Sequence, residues 1–150
     1  MRLLQQLAES DPDAVSPHRY LKFAYIETGD PASYLAEMKK EARLLHDTSL
    51  AAVEDAAEKG FAAHGVTGML EAQLDRQKKS YDEGKLSPFY VADTYSRLGD
   101  SAEAMKYLEI ACDRHADEAV VMAVDPAFNN LHSLPAFQLL LKKMGLPSVN

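Results

Sequence analysis

The sequence predicts an all-α chain of antiparallel helical hairpins, stacked as a solenoid and closed by a C-terminal capping helix. Apolar residues recur at steps of three and four along nearly the whole chain, and no stretch shows the sustained Val, Ile and Thr alternation of a strand. Short joints carrying helix stop and start residues separate these segments. Gly29, Gly65 and Gly99 mark three such joints at spacings of 36 and 34 residues, a period typical of helical repeats. A hairpin of this kind has an apolar face that it cannot cover alone, so neighbours share one core by stacking.

The elements follow in order. Residues 1–10 read as a helix that precedes the first hairpin, 16–45, 48–83 and 87–115 as three hairpins, and 116–150 as a capping segment, together one domain. Ser16 and Pro17 supply an N-cap and a first-turn proline, Tyr20, Leu21, Ala24 and Tyr25 form an apolar stripe, and Gly29 ends the helix. Asp30 and Pro31 open its partner, which carries Leu35, Met38 and Ala42. The joint is short enough to force an antiparallel pair. Thr48 or Ser49 caps a helix holding Val53, Ala57 and Phe61, which stops at His64 and Gly65 before a return helix with Met69, Leu70 and Leu74. Ser87 and Pro88 start the third hairpin, Gly99 breaks it, and Asp100 or Ser101 resumes it. Beyond 116 a short helix, a turn at "VDPAFNNL" and a last helix from Pro135 to Met144 are expected.

The third hairpin, "PFYVADTYSRLGDSAEAMKYLEIA", resembles a tetratricopeptide repeat. Val91, Ala92 and Tyr95 match the first-helix spacing of that family, Gly99 and Asp100 its turn, and Ala104, Leu108 and Ala111 its second helix. Small residues at 92 and 104 let two helices approach closely, and large ones at 91, 95 and 108 fill the space around them. The first hairpin keeps Leu21, Tyr25 and Gly29 but has Lys22 and Tyr34 where small residues belong; the second keeps Phe61, Gly65, Leu70 and Leu74 but places Glu58 at a small position. The resemblance implies a right-handed solenoid. Residues 87–147, through Asp125, Pro126, Phe128, Leu131, Pro135, Phe137, Leu140 and Gly145, further resemble the C-terminal end of bacterial winged-helix regulators and signalling proteins that carry such repeats. The opening "LLQQLAESDPDA" resembles the end of a repeat, so the chain is expected to be part of a longer protein.

Composition limits the function. Sixteen Lys and Arg against twenty-three Asp and Glu give a net charge of −7, which disfavours phosphate backbones, so no direct nucleic-acid binding is expected. The lone Cys112 excludes an internal disulfide and suits a reducing cytoplasm. No apolar run approaches the roughly 20 residues a membrane helix needs. The five histidines, at 18, 46, 64, 115 and 132, lack metal-ligand spacing, and no nucleophile, phosphate loop or catalytic signature is present. No catalytic residue, metal or cofactor is therefore expected. The doublets Lys39-Lys40, Lys78-Lys79 and Lys142-Lys143 read as a solvated outer face.

A protein or peptide partner is the expected ligand. The resemblance places binding on the concave face made by first helices, to which Arg19, Tyr20, Phe23, Glu27, Asp55, Lys59, Tyr90, Asp93 and Arg97 are assigned. Tyrosine supplies contact area there and arginine fixes carboxylates. The same residues also suit ordinary surface and inter-repeat packing. The Lys and Asn clamp with which some family members grip a chaperone tail is replaced by Arg19, Phe23, Ala56, Leu86 and Tyr90, so a chaperone tail is a poor partner. Two alternatives stand beside the scaffold: a small-molecule-sensing domain, favoured by a pocket lined by Tyr25, Phe61 or Tyr95, and a self-associating module that forms a homo-oligomer.

Overall fold

The structure, a computed structural model, describes residues 1–149. They are all-helical, with no strand among them. The chain divides into two compact units, Met1–Gln73 and a second that begins at Leu74.

The first unit holds α1 (Arg2–Ser10), α2 (Val15–Glu27), α3 (Pro31–Leu45) and most of α4 (Thr48–Asp82). Helix α2 begins one residue before the expected cap: Ala14 stands at its N-cap without a side-chain bond, and Ser16 and Pro17 lie within its first turn. Helix α3 starts as its sequence predicts. Gly29 adopts φ +73°, and two bonds close the end of α2, from Gly29 N–H to the Ile26 carbonyl at 3.3 Å and from Asp30 N–H to the Tyr25 carbonyl at 2.9 Å. This double bond around a left-handed glycine is the Schellman motif. Asp30 then turns its side chain to the next helix and accepts from Ser33 N–H at 3.0 Å, so one residue finishes α2 and caps α3. At the following joint Asp47, rather than Thr48 or Ser49, provides the cap, accepting from Ser49 and Leu50 N–H at 2.9 and 3.0 Å.

Helix α4 is interrupted at His64 (φ −142°) and Gly65 (φ 64°, ψ −150°). Its arms, 48–63 and 66–82, meet backbone to backbone. A Cβ built on Gly60 would collide with the Gly68 carbonyl oxygen and stand 2.8 Å from the Ala72 Cβ, and one on Gly68 would stand 2.5 Å from the Gly60 oxygen. The small-residue contact of this hairpin is thus Gly60 against Gly68, and exposed Glu58 is not part of it. Around it Val53, Ala57 and Met69 are almost fully buried. Tyr34, a large residue at a position expected to be small, is also buried, and its hydroxyl donates to Gln73 Oε1 at 2.9 Å.

The second unit contains α5 (Pro88–Arg97), α6 (Ser101–Asp113), two 3₁₀ turns at Asp117–Val121 and Pro126–Leu131, and α7 (Pro135–Lys143). Ser87 Oγ accepts from Phe89 N–H, as expected of its cap. The joint between α5 and α6 reproduces that between α2 and α3. Gly99 has φ +82°, its N–H donates to Ser96 at 2.9 Å, Asp100 N–H donates to the Tyr95 carbonyl at 3.0 Å, and Asp100 Oδ1 accepts from Glu103 N–H at 3.1 Å. Val91, Ala92, Ala104, Leu108 and Ala111 are fully buried between the two helices. The segment beyond 116, which the sequence reads as a helix and a turn, forms 3₁₀ turns instead. It adds Met122, Phe128, Leu131, Phe137 and Leu141 to the same core, with Phe128 edge-on to Phe89 at 5.4 Å. Cys112 is buried there beside Met122, and burial raises its thiol pKa.

The Gly60–Gly68 contact generates a prediction. A methyl group at either position must push two backbones apart, so Gly60→Ala should destabilise the protein by about 2 kcal/mol or more, although alanine is intrinsically the better helix former. Thermal unfolding measures this directly, and a variant as stable as the wild type would place the arms further apart than the structure has them.

Candidate functional site

Residues 18 and 22 of α2 lie one turn apart on one face, as do residues 37 and 41 of α3. On a buried hairpin face these positions call for apolar side chains. Here they hold His18, Lys22, Glu37 and Glu41, all less than a tenth exposed. Buried charges persist only when paired and hydrogen-bonded, and each of these is. Glu41 accepts from Arg19 Nε at 2.6 Å and from Lys22 Nζ at 2.5 Å. Burial by itself raises the pKa of Glu41, but the Lys22 and Arg19 cations outweigh it and hold the carboxyl below the usual glutamate range.

The second row is built on a histidine. His18 Nε2 faces the Pro12 carbonyl at 3.2 Å, and because a carbonyl only accepts, Nε2 carries a proton. His18 Nδ1 stands 2.6 Å from Glu37 Oε2, a contact that needs a second proton between the two atoms. The other Glu37 oxygen accepts from Lys40 Nζ at 2.9 Å.

This row forms a wall of a cleft of about 460 Å³ between α1, α2 and α3. Gln5, Ala8 and Glu9 of α1 line one side, Leu21 and Tyr25 of α2 another, and Lys40 and Arg43 of α3 a third. Gln5 Nε2 donates to the Tyr25 hydroxyl at 3.2 Å and ties α1 to α2. No group of three or more His, Cys, Asp or Glu among the described residues is placed to hold a metal ion, and no helix among them is long and apolar enough to cross a membrane.

The nine residues assigned to a concave face fall in both units. In the first, Tyr20 is 59 % exposed, Glu27 is exposed, and Phe23 is half-buried with the Lys22 ammonium 5.0 Å from its ring centre. Arg19 is engaged by Glu41, and Asp55 and Lys59 pair along α4 at 2.6 Å. In the second unit Tyr90 is half-buried, edge-on to Phe89 at 6.0 Å. Asp93 and Arg97 there form a largely buried pair at 2.8 Å.

The residues that sequence reasoning did not assign to a site are His18, Glu37, Lys40 and Arg43. Their signal was present, since Lys22 already stood at a position reserved for a small side chain. Lys39 and Lys40 are both exposed, as the solvated role given to their doublet has it, and both are also paired, Lys40 with Glu37 at 2.9 Å and Lys39 with Glu54 and Glu58 at 3.7 and 3.4 Å.

No protein-family model, no curated protein and no solved structure matches this chain.

The pairing of Glu41 fixes a pH dependence. A carboxyl whose folded pKa lies below its unfolded one adds stability that is fully present above the unfolded value, about 4.3 for glutamate, and is lost as pH falls through the folded value. Glu41→Gln leaves Lys22 buried without its counter-charge, so it should cost about 3 kcal/mol at pH 7. The gap to the wild type should narrow below about pH 4, as measured by denaturant unfolding across pH. A gap that is constant with pH would show that Glu41 is not held ionised by its partners.

Proposed function

We propose that this chain is a non-catalytic, tetratricopeptide-like interaction module whose hairpins stack as a right-handed solenoid. On the resemblance of residues 87–147 it serves as the C-terminal regulatory or interaction part of a cytoplasmic bacterial regulator or signalling protein. The observation that carries this reading is the equivalence of the joints at Gly29-Asp30 and Gly99-Asp100. They lie 70 residues apart, twice a repeat period, and use the same bonds: tyrosine carbonyl to aspartate N–H, left-handed glycine, aspartate side chain to the next helix. Local propensity alone does not require a tyrosine four residues before both glycines. The same 70-residue step relates Tyr20 to Tyr90 on the two first helices, as expected where one binding surface is repeated.

Tyr20 is the most exposed aromatic ring of this surface and is the natural contact for a peptide. Selection of a displayed random-peptide library on the intact chain should enrich sequences whose binding falls at least about tenfold in Tyr20→Ala, the loss of one modest aromatic contact. Because Tyr20 packs little, the same substitution should change stability by less than about 0.5 kcal/mol. Enriched peptides that bind Tyr20→Ala as well as the wild type would exclude this surface.

A second reading, a small-molecule-sensing domain, has its own support. The cleft of the first unit is lined by Tyr25, one of the residues from which such a pocket was expected, and is of a size suited to a small ligand.

A further inference from the structure

The cleft between α1, α2 and α3 carries a charge pattern that selects its ligand. Its charged wall is the buried His18 and Glu37 with the exposed Lys40 beside them. Both His18 nitrogens face oxygen atoms, at 2.6 and 3.2 Å, and Glu37 is shared between His18 and Lys40. With the proton that the short Nδ1–Oε2 contact needs, this wall holds one net positive charge. At the rim Arg43 has no ion-pair partner among the described residues, and neither has Glu9 across from it on α1. These two cancel, which leaves the whole cleft one charge positive. The Tyr25 hydroxyl accepts from Gln5, and its own proton is committed to no acceptor among the described residues. Ala8, Leu21 and the Tyr25 ring supply the apolar surface.

We infer that this cleft binds a small monocarboxylate with an apolar body, held at its carboxylate by Arg43 and the Tyr25 hydroxyl. The inference rests on the ligand-sensing reading and names the ligand's class. A guanidinium offers parallel donors that match the two oxygens of a carboxylate, and a phenol proton adds a third. A single negative charge balances the cleft. A doubly charged phosphate would leave Glu9 and Glu37 facing an excess of negative charge, and a cation would meet Arg43 and Lys40. The volume of about 460 Å³ falls at the lower end of small-molecule sites, which suits a body of one ring or a short branched chain.

The test uses the whole chain and three probes of one shape: benzoate, benzamide and benzylamine. Each is titrated while backbone amide resonances are followed by nuclear magnetic resonance. Benzoate should shift the amides of Ala8, Leu21 and Arg43 saturably, with Kd below about 1 mM. Benzamide and benzylamine should bind at least tenfold more weakly. Arg43→Gln, at an exposed position, should keep the folded spectrum and weaken benzoate about tenfold, one charge-assisted hydrogen bond's worth. Tyr25→Phe should weaken it severalfold. Tighter or equal binding of benzamide or benzylamine at the same amides would overturn the carboxylate inference and leave the ligand-sensing reading standing. Absence of any probe from those amides would overturn both. Benzoate binding unchanged in Arg43→Gln would overturn the proposed seat.

Discussion

The joint on which each well-formed hairpin turns is a single aspartate with two roles. Asp30 and Asp100 close one helix through the backbone and open the next through the side chain. A glycine at positive φ precedes the aspartate in both, the residue to which the left-handed conformation costs least, and the α3–α4 joint makes the same turn with His46 at φ 52° before Asp47. Only three residues separate the helices, so α3 must return along α2 and α6 along α5. The faces that meet are thereby set, and with them everything buried between the helices. The middle hairpin has no aspartate after Gly65, and its glycine takes a different backbone conformation. Its arms are registered instead by the direct contact of Gly60 with Gly68.

Superposing the two equivalent joints in sequence shows how far the hairpins have diverged. A step of 70 residues carries Lys22 to Ala92, Glu41 to Ala111, His18 to Pro88 and Glu37 to Tyr107. In α5 and α6 these positions are two buried alanines, a buried proline and the buried ring of Tyr107. In α2 and α3 they are buried ions. An Ala–Ala contact costs nothing in desolvation, whereas two buried charges cost several kcal/mol that their attraction only partly offsets. The first hairpin therefore keeps its charged seam against its own packing interest. One row of the seam, His18 and Glu37, borders the cleft and with Lys40 forms its charged wall, which gives that part of the departure from tight packing a use.

Much of the fold was legible in the sequence because the signals are local. Asp-Pro and Ser-Pro starts, glycine stops and the three-and-four apolar rhythm place nearly every helix. The cap at Asp47 and the unassisted start of α2 at Val15 were missed because several neighbouring residues could serve equally well. The 3₁₀ turns after 116 escaped for a different reason: their backbone is shaped by burial of Met122 and Phe128 against α5 and α6, which no local pattern encodes. Gly60 and Gly68 carry no signal in the sequence, because only the opposing backbone gives them a role. The candidate site was the least legible part. Charged residues on a helix read as solvent-facing, and only the partner helix shows that His18, Lys22, Glu37 and Glu41 point inward.

The central claim, that the buried charges of α2 and α3 serve something other than holding the hairpin together, is most directly tested by a double-mutant cycle on Lys22 and Glu41, with stability read from denaturant unfolding at pH 7. Glu41→Leu strands the buried Lys22 and should lose about 3 kcal/mol or more, whereas Lys22→Met leaves Glu41 its bond to Arg19 and should lose less. The double variant, with an apolar pair in the slot where α5 and α6 hold alanines, should recover the stability of the wild type or exceed it. A double variant less stable than either single one would contradict the claim and make the seam a stabilising element in its own right.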